Sequence, residues 1–240
     1  MPARHPASSR LLTGLLLGGL LITGCAPGAA SGGTTTRTSA ELGFHGNEPD
    51  QPRSRPSFAL RDTSGERYDF AAETAGRPTL LYFGYTSCPD ECPTAMADVA
   101  AALRQAPAAL REQVVVVFVT TDPERDDPAL LRRWLDMFST DVVGLVGTQV
   151  EVDAAQATLS LQPALRGAEV ATLPGRPDEH VHTPGAAPHT HLGPLGYGVD
   201  HTNLLFAFDT SDRLPVTYPA GVRPADIAAD LPLLAQGDAP

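Results

Sequence analysis

The sequence predicts an α/β fold: a central, mainly parallel sheet with flanking helices and an antiparallel C-terminal hairpin. Three observations carry this. Residues 79–85 (TLLYFGY) and 113–121 (QVVVVFVTT) are continuous apolar runs, the pattern of strands buried on both faces. Strand-like and helix-like segments alternate along the chain, which argues for a sheet covered on both sides. Near the C-terminus two strand-like runs flank Thr210-Ser-Asp-Arg213, a hairpin signal.

Taken in order, 58–60 and 67–70 read as short strands around the turn Asp62-Thr-Ser-Gly65. The first apolar run is the next strand. Residues 94–105 (TAMADVAAALRQ) are Ala-rich with helical spacing, and 113–121 follows as the strongest strand. Pro128 opens a helix to about 138, because proline lacks only an N–H that the first turn leaves unpaired anyway. Residues 142–147 form a short strand and 150–161 a helix. The hairpin pairs 203–209 with 214–218, and 224–234 closes the chain as a helix. Together these make a thioredoxin-like architecture over about residues 56–235. Residues 163–198 break the pattern as a Pro/Gly/His-rich insertion loop, with a short hairpin expected around 168–173.

Composition bounds the function. The 240 residues are 42% hydrophobic and 19% charged, ordinary for a soluble domain. Gly (22) and Pro (23) together exceed the average, so long loops or tails surround the core. A formal net charge of −11 argues against nucleic-acid binding, which needs clustered cationic side chains to neutralise phosphates. Three cysteines exclude a disulfide-dense scaffold.

The N-terminus reads as an address. Arg4 and Arg10 precede the apolar run 11–22, which has signal-peptide length and is short for a membrane span. It ends in Ile22-Thr23-Gly24-Cys25, which resembles a bacterial lipobox. That resemblance implies a lipoprotein signal peptide at 1–24, a lipidated Cys25, and a domain held at the extracytoplasmic face of the cell membrane. Residues 25–55 lack apolar periodicity and read as a flexible tether, with His45 solvated in it.

The chemistry-bearing motif is Thr86-Ser-Cys88-Pro-Asp-Glu-Cys92-Pro93, placed directly after the first long strand. Cysteines at i and i+4 on the first turn of a helix share a face, so their sulfurs can converge on one ion or close a disulfide. A helix N-terminus favours the thiolate. Thiolates select Cu(I) or Zn(II), and imidazole suits both. The candidate third ligand is His201, just before the strand 203–209; a surface histidine is the alternative reading at this point.

The stretch Phe83-Gly-Tyr-Thr-Ser-Cys88-Pro-Asp-Glu-Cys92-Pro93 resembles the signature of the Sco/SenC family of copper-binding, thioredoxin-like proteins. Thr121-Asp-Pro-Glu-Arg-Asp126 with Pro128 resembles that family's second motif, and Tyr197-Gly-Val-Asp200-His201 its third. Thr202 stands where serine is usual, and the insertion before the third motif is longer than expected. The resemblance implies that Cys88, Cys92 and His201 bind one copper ion. It implies a metallochaperone that delivers copper for the binuclear centre of cytochrome c oxidase, with the oxidase's copper-bearing subunit or another copper protein as partner. An alternative is a thiol–disulfide oxidoreductase, with Cys88 and Cys92 as its redox pair, that reduces the oxidase subunit's cysteines.

Other motif residues are assigned supporting parts. Asp122, Glu124, Arg125 and Asp126 are expected to shape a turn and a helix start near the site. Asp90 and Asp200 are candidates to orient the imidazole, and Tyr82 and Tyr85 read as packing. His180, His182, His189 and His191 form two His-x-His pairs and are candidates for an auxiliary metal site.

Overall fold

The computed structural model describes residues 43–51, 53–166, 199–200 and 202–237. Within them the chain runs β1 (Ala59–Asp62), β2 (Arg67–Asp69), α1 (Phe70–Thr74), β3 (Thr79–Gly84), α2 (Glu91–Gln105) and α3 (Ala108–Arg111). It continues through β4 (Val115–Thr120), α4 (Pro128–Leu135), β5 (Val143–Val146), α5 (Gln149–Thr158), β6 (Leu165–Arg166), β7 (Val199–Asp200), β8 (Leu204–Phe208), β9 (Val216–Pro219) and α6 (Pro224–Gln236).

Seven strands form one sheet in the order β2-β1-β5-β4-β3-β8-β9. The two apolar runs lie at its middle: β3 and β4 are buried at every position and pair in parallel, Leu81 opposite Val117. β4 and β5 are also parallel. Parallel neighbours need a crossover, and α2 with α3 and then α4 provide the two. The remaining pairings are antiparallel: β1 on β2 and on β5, β8 on β3 and on β9. The α/β class therefore holds, but the sheet is mixed. Its parallel part is confined to β3, β4 and β5, because a hairpin is added at each flank.

Alternation along β3 and β4 feeds two cores. Leu80, Tyr82, Val116 and Phe118 pack with Met96 and Val99 of α2, Leu131 of α4 and Leu231 of α6. Leu81, Phe83, Val117 and Val119 pack on the other face with Phe70 of α1 and with Val152 and Ala155 of α5. The helix starts follow local chemistry. The Asp127 carboxylate accepts from Leu130 N at 2.7 Å ahead of Pro128. Thr148 and Glu151 form a reciprocal capping box that starts α5 at Gln149.

Two features depart from the sequence expectation. A two-stranded sheet pairs β6 with β7, Leu165 opposite Asp200, bracketing the insertion; the hairpin expected at 168–173 lies outside the described residues. The tether expected to reach residue 55 is docked against the domain from residue 43 onward. Asn47 pairs with Thr217 and Ser54 with Arg213 as antiparallel bridges, and Phe44 packs on the core. Arg55 is buried, donating to Asp212 Oδ1, Thr74 Oγ1, and the carbonyls of Arg77 and Asp209. Backbone pairing and one buried cation hold this strap, and neither leaves an apolar period in the sequence.

His45, expected to be solvated, is exposed as expected, its side chain 46% accessible, and is also paired with the domain. Its Nδ1 lies 2.6 Å from Asp230 Oδ1 and its backbone N donates to Asp230 Oδ2 at 2.9 Å. Asp230 is fully buried on α6 and also accepts from Tyr218 Oη at 2.8 Å. Cys25 and the signal segment lie outside the described residues. Among the described residues no helix is long and apolar enough to cross a membrane.

Candidate metal centre

β3 delivers the cysteine loop. Cys88 N donates to Tyr85 O at 3.2 Å, turning the chain off the strand. The sequence reading put both cysteines on the first turn of a helix. Instead α2 begins at Glu91, so only Cys92 is helical and Cys88 sits in the turn before it. Pro89 explains the offset, since a residue that precedes proline is disfavoured in the helical region.

The i, i+4 spacing still brings the pair together. Cys88 Sγ accepts a hydrogen bond from Cys92 N at 3.3 Å. This sulfur occupies a capping role, because Asp90, the N-cap residue, makes no side-chain capping bond. An N–H of the first helical turn thus points at Cys88, where the helix end favours negative charge. Neither sulfur is joined in a disulfide. Cys88 is 9% exposed and Cys92 is fully buried. Burial, with the Cys88 sulfur beside it, pushes the Cys92 thiol well above its ordinary value.

The surroundings are fitted to these sulfurs. A Cβ on Gly84 would meet Cys92 Sγ at 2.9 Å and Tyr82 Cε1 at 2.8 Å, so glycine lets the helix start lie directly on β3. Tyr82 Oη is 4.0 Å from Cys92 Sγ and donates to Asn203 Oδ1 at 2.6 Å. Burial pushes the Tyr85 phenol up to about 12, and Tyr85 Oη accepts from Val199 N at 3.4 Å.

The second motif forms a turn, as expected of it, with Arg125 N and Asp126 N both donating to Asp122 O, and it also braces the cysteine loop. Asp126, buried, accepts from Thr86 N (2.9 Å), Thr86 Oγ1 (2.6 Å) and Thr120 Oγ1 (2.6 Å). Burial pushes its carboxyl up, while these three donors pull it down. Arg125 pairs with buried Asp122 and lies over the Tyr85 ring, 5.5 Å from its centroid. The residues Thr120 to Asp126 thereby fix the loop that carries Cys88.

His201, the expected third ligand, lies outside the described residues, as do His180, His182, His189 and His191. Among the described residues no three His, Cys, Asp or Glu side chains converge. What is described is the chain on either side: Val199 held at Tyr85, Asn203 held at Tyr82. The donor set that is present, two sulfurs beside a helix N-terminus, fits a soft metal ion. Next to it a cleft of about 330 Å³ opens between α2 and the β9–α6 connection, with Asp90, Glu91 and Asp98 on one wall and Asn203 and Tyr218 on another.

Sequence reasoning missed the parts played by Tyr82, Thr86 and Asn203. A signal existed for Tyr82. It is a phenol flanked by Leu81 and Phe83 in the middle of a buried strand, and a buried Tyr hydroxyl usually finds a partner.

Comparison with known proteins identifies the family and the fold. A family model described as SCO1/SenC matches residues 46–172. A "Putative copper-binding protein" of Stutzerimonas stutzeri is 36% identical over 113 residues, 46% of this chain and 54% of that protein. "Protein SenC" of Rhodobacter capsulatus is 40% identical over 79 residues, 33% of this chain and 35% of that protein. The chain spans about half the length, or less, of these curated relatives. Among solved structures, Bradyrhizobium japonicum ScoI with copper bound superposes with a TM-score of 0.58 at 28% identity, covering 76% of this chain and 100% of that one. Apo Sco1 from Thermus thermophilus gives 0.61 at 28% identity, covering 80% and 97%.

Proposed function

Because the chain belongs to the SCO1/SenC family, we propose that it is an extracytoplasmic copper metallochaperone, tethered to the membrane through a lipidated Cys25. It carries one copper ion as cargo on Cys88, Cys92 and His201. It hands that ion on for assembly of the binuclear copper centre of cytochrome c oxidase. The observation that carries the reading is the pair of cysteines brought together at the start of α2, with Cys88 Sγ facing Cys92 N. The copper-bound ScoI that shares the fold supports it.

Each residue has a distinct part. The helix N-terminus stabilises the Cys88 thiolate, and thiolate sulfur selects Cu(I) over harder ions. Cys92 is enclosed by Tyr82 and Gly84, so it holds its place while cargo moves. Cys88 is the more exposed sulfur and the one an incoming thiolate of the acceptor reaches first. His201 completes a three-coordinate set whose loss frees the ion to leave.

The test is copper content and Cu(I) competition binding of the full chain beside Cys88→Ser, Cys92→Ser and His201→Ala. One equivalent in the parent and a sharp loss in all three variants is the expected result. Full occupancy in Cys88→Ser overturns the reading. So does a copper-free parent whose Cys88–Cys92 pair cycles between dithiol and disulfide regardless of His201; that outcome identifies a dithiol reductase. Lipid attachment is read separately, as the mass of the membrane-extracted chain with and without Cys25→Ala.

A further inference from the structure

β3 carries one side chain that its apolar neighbours do not explain. Tyr82 is 1% exposed, yet its hydroxyl meets two described groups at the edge of the cysteine loop. It donates to Asn203 Oδ1 at 2.6 Å and lies 4.0 Å from Cys92 Sγ. Asn203 stands two positions after His201 and one before β8. The backbone ladder of β3 and β8 already pairs Tyr82 with Leu205; the phenol reaches past that register and fastens the residue ahead of the strand. The Asn203 amide nitrogen is buried and has no hydrogen-bond partner among the described residues, so the Tyr82 hydroxyl is the described contact that orients this side chain. Gly84 makes the arrangement possible, since any Cβ there would enter the space shared by Tyr82, Cys92 and Phe118.

We propose that Tyr82 is a positioning residue for copper, acting through Asn203 to fix how the His201 segment meets a metal held by the cysteines. This inference rests on the copper-carrier reading above. The physical argument is that of outer-shell groups around metal sites generally. They do not touch the ion, but they restrict the orientation of the ligands that do. Here one hydroxyl touches both halves of the ligand set, the buried sulfur and the segment bearing the imidazole. Removing it leaves the sulfurs in place and releases the histidine's side of the site.

The experiment compares the full chain with Tyr82→Phe, Asn203→Ala and the double variant, with His201→Ala alongside. Two readouts are used: the sulfur-to-copper charge-transfer absorption of the Cu(II) form, and the rate of Cu(I) release to a chromogenic chelator. Tyr82→Phe is expected to keep one copper, where His201→Ala loses it, to shift its absorption band from the parent's position, and to release Cu(I) at least about tenfold faster, the scale on which outer-shell substitutions act. Asn203→Ala should give the same change, and the double variant no more than either single one, because all three remove one shared bond. Thermal melting separates a loosened core from a changed site, since a merely structural role would lower the melting temperature and leave the absorption band where it is.

Parental absorption and release in Tyr82→Phe overturns this inference while the copper reading stands. Fully additive effects in the double variant also overturn it. Should Tyr82→Phe not fold, Asn203→Ala alone decides by the same two readouts. A parent chain that binds no copper overturns both readings together.

Discussion

Replacing Arg55 with methionine tests whether the strap is part of the folded domain. The Arg55 side chain is 2% exposed. It donates to Asp212 Oδ1 at 2.7 Å, Thr74 Oγ1 at 2.9 Å, Arg77 O at 3.0 Å and Asp209 O at 2.9 Å. Its guanidinium also lies over Phe208, 5.2 Å from the ring centroid. Methionine keeps apolar contact with the rings and supplies no donor. Hydrogen bonds from a charged group contribute about 1.5–3 kcal/mol each, but four on one side chain do not add. Breaking a buried ion pair costs about 3–5 kcal/mol. Asp212 is 49% exposed and regains water once unpaired, which places the cost near the lower end, about 3 kcal/mol. For a domain of this size that lowers the melting temperature by roughly 6–12 °C. The assay is urea unfolding followed by fluorescence of Trp134, the single tryptophan, which packs against Phe118. A loss within about 0.5 kcal/mol, the range of ordinary exposed substitutions, would refute the reasoning.

Further expectations concern the same surfaces. The buried Asp230 raises His45 above the usual imidazole value of 6.5, with Asp226 adding to the rise and Arg223 opposing it. A raised folded value means the His45–Asp230 contribution is fully present below 6.5 and is lost as pH rises above 6.5 through the raised, folded-state value. The melting-temperature gap between the parent and His45→Ala should therefore shrink on going from pH 5.5 to 8.5, and a gap that widens contradicts the pairing. In the reduced, metal-free chain, a thiol alkylating agent should label Cys88 before Cys92, as read by mass spectrometry of timed samples; equal rates would contradict the enclosure of Cys92. Gly84→Ala should cost about 1–3 kcal/mol by overpacking against Tyr82, Cys92 and Phe118. Unchanged stability in urea would show that the loop has room to shift.

What was legible in the sequence was local. The runs at 79–85 and 113–121 name β3 and β4 because a strand buried on both faces shows itself in consecutive residues. The cysteine motif is equally local, since its chemistry needs two sulfurs four positions apart. What was not legible depends on partners distant in the chain. Tyr82 meets Asn203 across 121 positions, and His45 meets Asp230 across 185. Arg55 looks like one more charge in a Pro-rich stretch until residues 74, 77, 209 and 212 gather around it. The start of α2 was displaced for a smaller reason. Pro89 keeps Cys88 out of the helical region, and the Cys88 sulfur accepts from Cys92 N, so the first turn begins only at Glu91.

The pairing of Asn47 with Thr217 has a consequence beyond holding the strap. β9 is the last strand of its side of the sheet, and such a strand offers a row of free N–H and C=O groups on which another chain can continue the ladder. Asn47 N donates to Thr217 O at 2.7 Å, and Thr217 N donates to Asn47 O at 2.9 Å. The segment therefore takes, from within the same molecule, the hydrogen bonds that a second copy would need at that point. At the opposite margin β2 is only three residues long, too short a template for extended growth. A stretch that reads as a leash serves the folded protein as a hem, closing the sheet to self-addition where it would otherwise fray.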